Sequence, residues 1–185
     1  MKIKEKAKVM DEKDLERTLI RLSHEIIEKN RGAGNLGFVG MQTRGVFLAK
    51  RIAQNIHKIE GQLIPVGILD VTLYRDDFRQ RLKQPIVQIT EIPFSVDEKD
   101  IIIIDDVLFT GRTIRAALDS LMDFGRPASI QLAVLVDRGH RELPISADYI
   151  GEKIITSIGE EIRVNVKEID NEDSVYLVDI IVKKK

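Results

Sequence analysis

The chain has 185 residues, 43% of them hydrophobic and 32% charged, with no cysteine and a formal net charge of −1. That length suits one domain, residues 1–185, whose core can fold without disulfides, and the missing cysteines exclude disulfide and thiolate metal chemistry. The near-zero charge excludes a global attraction to nucleic acid, and no apolar run is long enough to span a bilayer.

The segment Met1 to Lys6 carries positive charge with no apolar stretch behind it, so it does not read as a secretory signal, and the expected compartment is the cytoplasm. Asp11 is placed to cap a helix over residues 12 to 30, where Leu15, Leu19, Leu22 and Ile26 recur on one face. The glycines of Arg31-Gly32-Ala33-Gly34-Asn35 end it. Leu36 to Met41 reads as a short buried strand, followed by a turn at Gln42-Thr43-Arg44-Gly45 and a helix through Val46, Leu48, Ala49, Ile52 and Ile56. A third strand is expected over about Gln62 to Tyr74, and the charged stretch Arg75 to Arg81 after it reads as a mobile loop.

Ile101-Ile102-Ile103-Ile104 is the β-branched run of a central parallel strand, and Ile114, Ala117, Leu118, Leu121 and Met122 mark the next helix, which Phe124-Gly125-Arg126-Pro127 stops. Ile130 to Val136 follows as a strand, with strand-like pieces at Tyr149-Ile150, Ile162 to Val166 and Val175 to Val182. Strands alternating with helices predict an α/β fold with a mostly parallel, helix-covered sheet.

The chemistry concentrates in Asp105-Asp106-Val107-Leu108-Phe109-Thr110-Gly111-Arg112-Thr113, where an apolar strand runs into two acids and a small-residue turn opens a helix. Ligands of open parallel sheets bind beyond the strands' carboxyl ends, and free N–H groups at a helix start attract phosphate. Gly111 lets the backbone approach an anion, Thr110 and Thr113 add hydroxyl donors, and Arg112 adds charge. Two carboxylates beside a phosphate would repel it unless they face a vicinal diol or a hydrated Mg²⁺. A ribose phosphate meets both demands. With His24, His57 and His140 dispersed, any metal is expected on oxygen ligands, Asp105 and Asp106, directly or through water.

This segment resembles the PRPP-binding motif of type I phosphoribosyltransferases from apolar run to final Thr. Together with Gln42-Thr43-Arg44-Gly45, Asp70 to Asp77 and Val136-Asp137-Arg138-Gly139-His140-Arg141-Glu142-Leu143-Pro144-Ile145, the chain resembles the bacterial PyrR family over roughly residues 10 to 170. The resemblance implies a type I phosphoribosyltransferase fold with a small hood and a flexible loop. It implies a uracil phosphoribosyltransferase that makes UMP and pyrophosphate from uracil and PRPP with Mg²⁺, and that also regulates pyrimidine operons by binding leader mRNA in response to uridine nucleotides. In that reading Asp105, Asp106 and Arg44 are catalytic, the first two on the ribose hydroxyls. Thr110, Gly111, Arg112 and Thr113 hold the 5-phosphate, with Val107, Leu108 and Phe109 also counted as substrate-binding, and Thr43, Arg44, Gly45 and the loop residue Arg75 meet pyrophosphate. Arg138, oriented by Asp137, faces the base, and backbone groups share that role.

An exposed basic line of Arg17, Arg21 and His24 on the first helix, with His140 and Arg141, is the candidate RNA surface. Ile20 stands where the family tends to carry a hydroxyl, and Ser146 and Glu152 stand where it often carries cations. The acids Glu16, Glu25 and Glu28 make the same helix readable as an ordinary charge-laced one. An attenuator with vestigial catalysis, or a transferase for another base, are the alternatives. The family also implies a homodimer or higher oligomer.

Overall fold

The computed structural model describes residues 2–71 and 90–181. Arg75 and the rest of the charged stretch through Arg81 therefore lie outside the described residues, as does the last part of the third strand expected from sequence.

The chain runs through β1 (Lys2–Met10), α1 (Glu12–Asn30), β2 (Leu36–Met41), α2 (Arg44–Glu60), β3 (Val66–Leu69), β4 (Asp100–Leu108), α3 (Arg112–Leu121), β5 (Ser129–Asp137), β6 (Tyr149–Lys153), β7 (Glu160–Asn165), α4 (Lys167–Asp170) and β8 (Ser174–Ile181). Five strands form a parallel sheet in the order β3-β2-β4-β5-β6. Strand side chains alternate between faces, and the isoleucine run obeys this. Ile102 and Ile104 pack with Leu48, Ile52 and Ile56 of α2 and Leu19, Leu22 and Ile26 of α1. Ile101 and Ile103 pack with Ile114, Ala117 and Leu121 of α3 on the other side. Both faces of the central strand are thus covered, which is why the sequence reads there as a continuous apolar run.

Helix α1 begins as expected at Asp11, whose carboxylate accepts the Asp14 amide at 2.9 Å while Asp14 reciprocates toward the Asp11 amide at 3.3 Å. Its end is set by Arg31 in a left-handed conformation, with φ 56°. The third strand is shorter than the sequence suggests, at Val66–Leu69. A short 3₁₀ turn, Met122–Phe124, continues α3 up to Gly125.

The strand-like pieces at Ile162 to Val166 and Val175 to Val182 belong to a second sheet, antiparallel and ordered β1-β8-β7, in which β1 is the strand the sequence did not announce. β1 pairs with β8 from Lys2 opposite Ile181 to Met10 opposite Val175. Met10, Ile162, Val164 and Val175 from this sheet belong to the same core as α1, α2 and one face of the parallel sheet. It stands over the carboxyl end of β4, where Ile162 reaches the cavity described next, and it is the small hood that the resemblance implied.

Candidate active site

β4 does not stop at the acids. Its ladder with β5 continues through Asp105, Val107 and Leu108, which face Val134, Val136 and Asp137. Asp105 and Asp106 are thus held on hydrogen-bonded backbone rather than in a loose turn. Each carboxylate accepts the amide of the following residue at 2.9 Å, Asp105 from Asp106 and Asp106 from Val107. Asp105 is buried and Asp106 half-buried.

Beyond the strand the chain turns at Gly111, whose φ of 90° is left-handed and favours glycine, beside Leu143 and Ile145. Gly111 is the N-cap of α3. The N-cap residue offers no side-chain cap and the first turn holds no acid, so apart from the Arg112 amide, which reaches Thr110 Oγ1 at 3.4 Å, the leading amides and their partial positive charge are available to an anion. Asp105 to Thr110, Gly111 and Thr113 line a cavity of about 260 Å³ closed on the far side by Arg138 and Ile162. The cavity joins two carboxylates, two hydroxyls, a helix start and a cation, the set that a ribose 5-phosphate needs. Arg112 is not part of that wall. Its Nε donates to Glu142 at 2.6 Å.

The start of α2 lies beside the acids because residue 45 is glycine. A Cβ there would press on the Ile104 carbonyl oxygen and come within 3.2 Å of the Asp105 Cα. Thr43 is the N-cap of α2, again with no side-chain cap, and the Gln42–Thr43 peptide is cis. Arg44 forms a bidentate pair with Asp170 of α4, at 2.9 and 3.1 Å. Burial works against the charge on Asp170, but the hydrogen bonds from Arg44 and the Val166 amide hold its carboxyl below the ordinary carboxylate range.

The loop after β5 forms the other rim. Arg138 stacks over the Phe109 ring with its guanidinium carbon 3.9 Å from the centroid, and donates to the Glu160 carbonyl at 2.8 Å and Thr156 Oγ1 at 3.3 Å. Burial lowers its pKa, with the charge of Glu161 opposing. Asp137 does not orient Arg138, contrary to the expectation from sequence. Its carboxylate accepts the Gly139 amide at 3.0 Å and pairs with Arg141 at 2.5 Å. Arginines one and four positions on compete for one carboxylate, and the left-handed turn at Gly139 and His140 brings the second one back to it.

A phosphoribosyl transferase domain family matches residues 7–169. The bifunctional protein PyrR of Pelotomaculum thermopropionicum is 56% identical over 176 residues, covering 95% of this chain and 97% of the relative. The chain belongs to the PyrR family. The bifunctional protein PyrR of Bacillus cereus strain AH820 is 54% identical and covers 96% of this chain and 99% of its own length. Among solved structures, the hypoxanthine phosphoribosyltransferase of Trypanosoma cruzi superposes with a TM-score of 0.73 at 14% identity, covering 96% of this chain and 98% of that one. A hypoxanthine-guanine phosphoribosyltransferase of Bacillus anthracis gives 0.68 at 17%, covering 96% and 99%. At such identities these structures show the fold alone, which is the type I phosphoribosyltransferase fold.

The structure thus gathers Asp105, Asp106, Val107 to Gly111, Thr113 and Arg138 around one cavity and sets Thr43 to Gly45 alongside. On the candidate RNA face of this PyrR family member, Arg17 and His24 are exposed, while Arg21 is committed to Glu25 at 2.6 Å and to the Gly151 carbonyl at 2.5 Å. His140 meets the Thr156 carbonyl at 2.6 Å and the edge of Phe109. Arg141 is turned inward. Sequence reasoning missed Ile162, Thr156, Glu160 and Asp170. Each comes from the hood or its flanks, and nothing in local pattern links such residues to a site formed elsewhere in the chain.

Proposed function

We propose that this chain transfers the 5-phosphoribosyl group of PRPP to uracil, releasing pyrophosphate and forming UMP, and that it also regulates pyrimidine operon expression by binding leader mRNA in response to uridine nucleotides. The observation that carries the reading is the cavity in which Asp105 and Asp106 stand beside the uncapped start of α3, in a chain whose relatives at 54–56% identity are named bifunctional. Asp105 and Asp106 take the ribose hydroxyls, and Thr110, Gly111, Thr113 and the α3 amides take the 5-phosphate. Thr43, Arg44 and Gly45 receive pyrophosphate, Arg44 supplying charge as the C1–O bond loosens and positive charge builds on the sugar. Arg75, which lies outside the described residues, is assigned to the same pyrophosphate side. Arg138 and Phe109 border the space for the base.

Among the described residues no three His, Cys, Asp or Glu side chains gather as a metal site. Two carboxylates suit Mg²⁺, which keeps several waters and takes most of its ligands from substrate phosphates. Asp105 and Asp106 would hold it directly or through water, and it would neutralise charge on departing pyrophosphate.

Both sheets share one core, which supports reading residues 1–185 as one domain. The proposed setting is the cytoplasm, and the proposed assembly a homodimer or higher oligomer, as the family resemblance implies. No helix among the described residues is long and apolar enough to cross a membrane. The deciding experiment measures UMP formation from PRPP with uracil, hypoxanthine, guanine and orotate separately, with Mg²⁺, against an Asp105→Asn/Asp106→Asn double variant. Uracil-specific turnover that the variant loses supports the reading; turnover with another base alone, or with none, overturns it. For the regulatory half, failure to bind a uridine-responsive leader RNA at low salt is the refuting result.

A further inference from the structure

We infer that Arg141 is a positioning residue for the phosphate cradle: by fastening carbonyls behind the Leu108–Thr110 loop it turns the loop's amides toward the cavity. This rests on the reading that the cavity holds a 5-phosphate.

The Arg141 side chain is half-buried, and its guanidinium donors turn toward backbone carbonyls. Nη1 lies 2.5 Å from the Phe109 carbonyl oxygen, 3.1 Å from that of Gly139 and 3.4 Å from that of Leu108. Nε donates to the Ile145 carbonyl at 3.0 Å, and Nη2 pairs with Asp137 at 2.5 Å. Three carbonyl oxygens converging on one nitrogen repel one another, and the cation offsets that repulsion.

The neighbouring backbone continues the same fastening. The Arg138 amide donates to the Leu108 carbonyl at 3.0 Å, and the Glu142 and Leu143 amides donate to the Thr110 carbonyl at 3.0 and 3.2 Å. The carbonyls of Leu108, Phe109 and Thr110 are therefore all held by the segment 138–143. In a planar trans peptide the N–H points opposite to the C=O of the same unit. Holding these carbonyls on the protein side directs the amides of Phe109, Thr110 and Gly111 the other way, toward the cavity these residues line. The Leu108 and Thr110 carbonyls have backbone amides as partners. The Phe109 carbonyl relies on Arg141, so the amide of Thr110 depends on that side chain for its aim.

The pocket of charge around Arg141 is balanced by Asp137, whose carboxylate also takes the Gly139 amide, so one acid and one arginine tie the ends of β4 and β5 together. This arrangement explains why an arginine that resembles a surface contact in sequence has its donors committed to the interior.

The test compares wild type, Arg141→Gln and Arg141→Lys by calorimetric binding of UMP and of pyrophosphate, with thermal melts to establish that each variant is folded. UMP reports the phosphate cradle, and pyrophosphate reports the separate loop at Thr43 to Gly45. Arg141→Gln is expected to weaken UMP by about ten-fold or more, the loss carried by one charge-assisted hydrogen bond, with pyrophosphate affinity changed less than about two-fold. Arg141→Lys, which keeps the charge and reaches fewer carbonyls, should fall between. Unchanged UMP affinity in folded Arg141→Gln, or in Arg141→Lys should the former not fold, overturns the inference, as does an equal loss for both ligands. A wild type that binds pyrophosphate but not UMP overturns the cavity assignment itself, a result distinct from a failure of Arg141's role.

Discussion

Replacing Gly45 by Ala tests whether α2 must touch β4 to set the pyrophosphate loop beside the acids. The added Cβ would press on the Ile104 carbonyl oxygen and stand 3.2 Å from both the Ile104 carbonyl carbon and the Asp105 Cα. These are backbone atoms of a strand paired on both sides, by β2 and β5, and they cannot turn aside as a side chain would. The helix must retreat instead, by roughly 1 Å to restore ordinary contact distances. Retreat loosens Val46, Leu48, Ala49 and Ile52, all buried. Overpacking of this kind costs about 1–3 kcal/mol, or roughly 2–12 °C in Tm for a chain of this size. Because Thr43 and Arg44 ride on the same helix start, kcat/KM for PRPP should fall by about ten-fold or more. Gly34→Ala is the matched control, with nothing within 4 Å of the new methyl and an ordinary φ, and should change stability by less than about 0.5 kcal/mol. Differential scanning calorimetry with steady-state kinetics reads both effects. A Gly45→Ala protein that melts and turns over like wild type would refute the close approach and the positioning argument built on it.

The Asp105→Asn/Asp106→Asn protein should remain folded and lose kcat by about 10²-fold or more, checked by circular dichroism and by UMP formation. Asp170 titrates below the ordinary carboxylate range in the fold, so its pair with Arg44 contributes stability above the unfolded pKa of about 4 and loses it as pH falls through the lower folded value. Urea unfolding should therefore separate wild type from Asp170→Asn at pH 5 to 8, with the gap closing below about pH 4. Glu152 is exposed on β6, and Glu152→Lys should tighten leader-RNA binding and steepen its salt dependence by about one unit of slope, read by filter binding across salt concentrations.

The parallel layer was legible because each of its elements carries its own signal. The Asp11 cap, the heptad-like spacing of Leu15 to Ile26, the isoleucine run and the Gly111 turn are local features, and each became the element it foretold. The antiparallel sheet was legible only in part: Ile162 to Val166 and Val175 to Val182 read as strand-like pieces, but β1 pairs across almost the whole chain, Lys4 with Asp179, so no local signal joined it to them. The alternation of lysines at positions 2, 4, 6 and 8 was the available sign of β1, and it is weak since its partner lies so far away. At the site, residue types announced the carboxylates and the phosphate turn. What they did not announce is which cation each acid takes, because that depends on loop geometry: Asp137 chose Arg141 over Arg138, and Asp170, remote in sequence, took Arg44.

β6 has five residues and ends the parallel sheet. A strand in that position offers unpaired backbone to any other extended chain, and an unguarded one is an invitation to aggregate. Arg21 lies over it from α1, donating to the carbonyls of Ile150 and Gly151, while Glu152 and Lys153 place opposite charges at its exit. An arginine read in the sequence as a hand held out to RNA thus occupies carbonyls that an added strand would need. Its loss would first be felt in solubility on expression and storage.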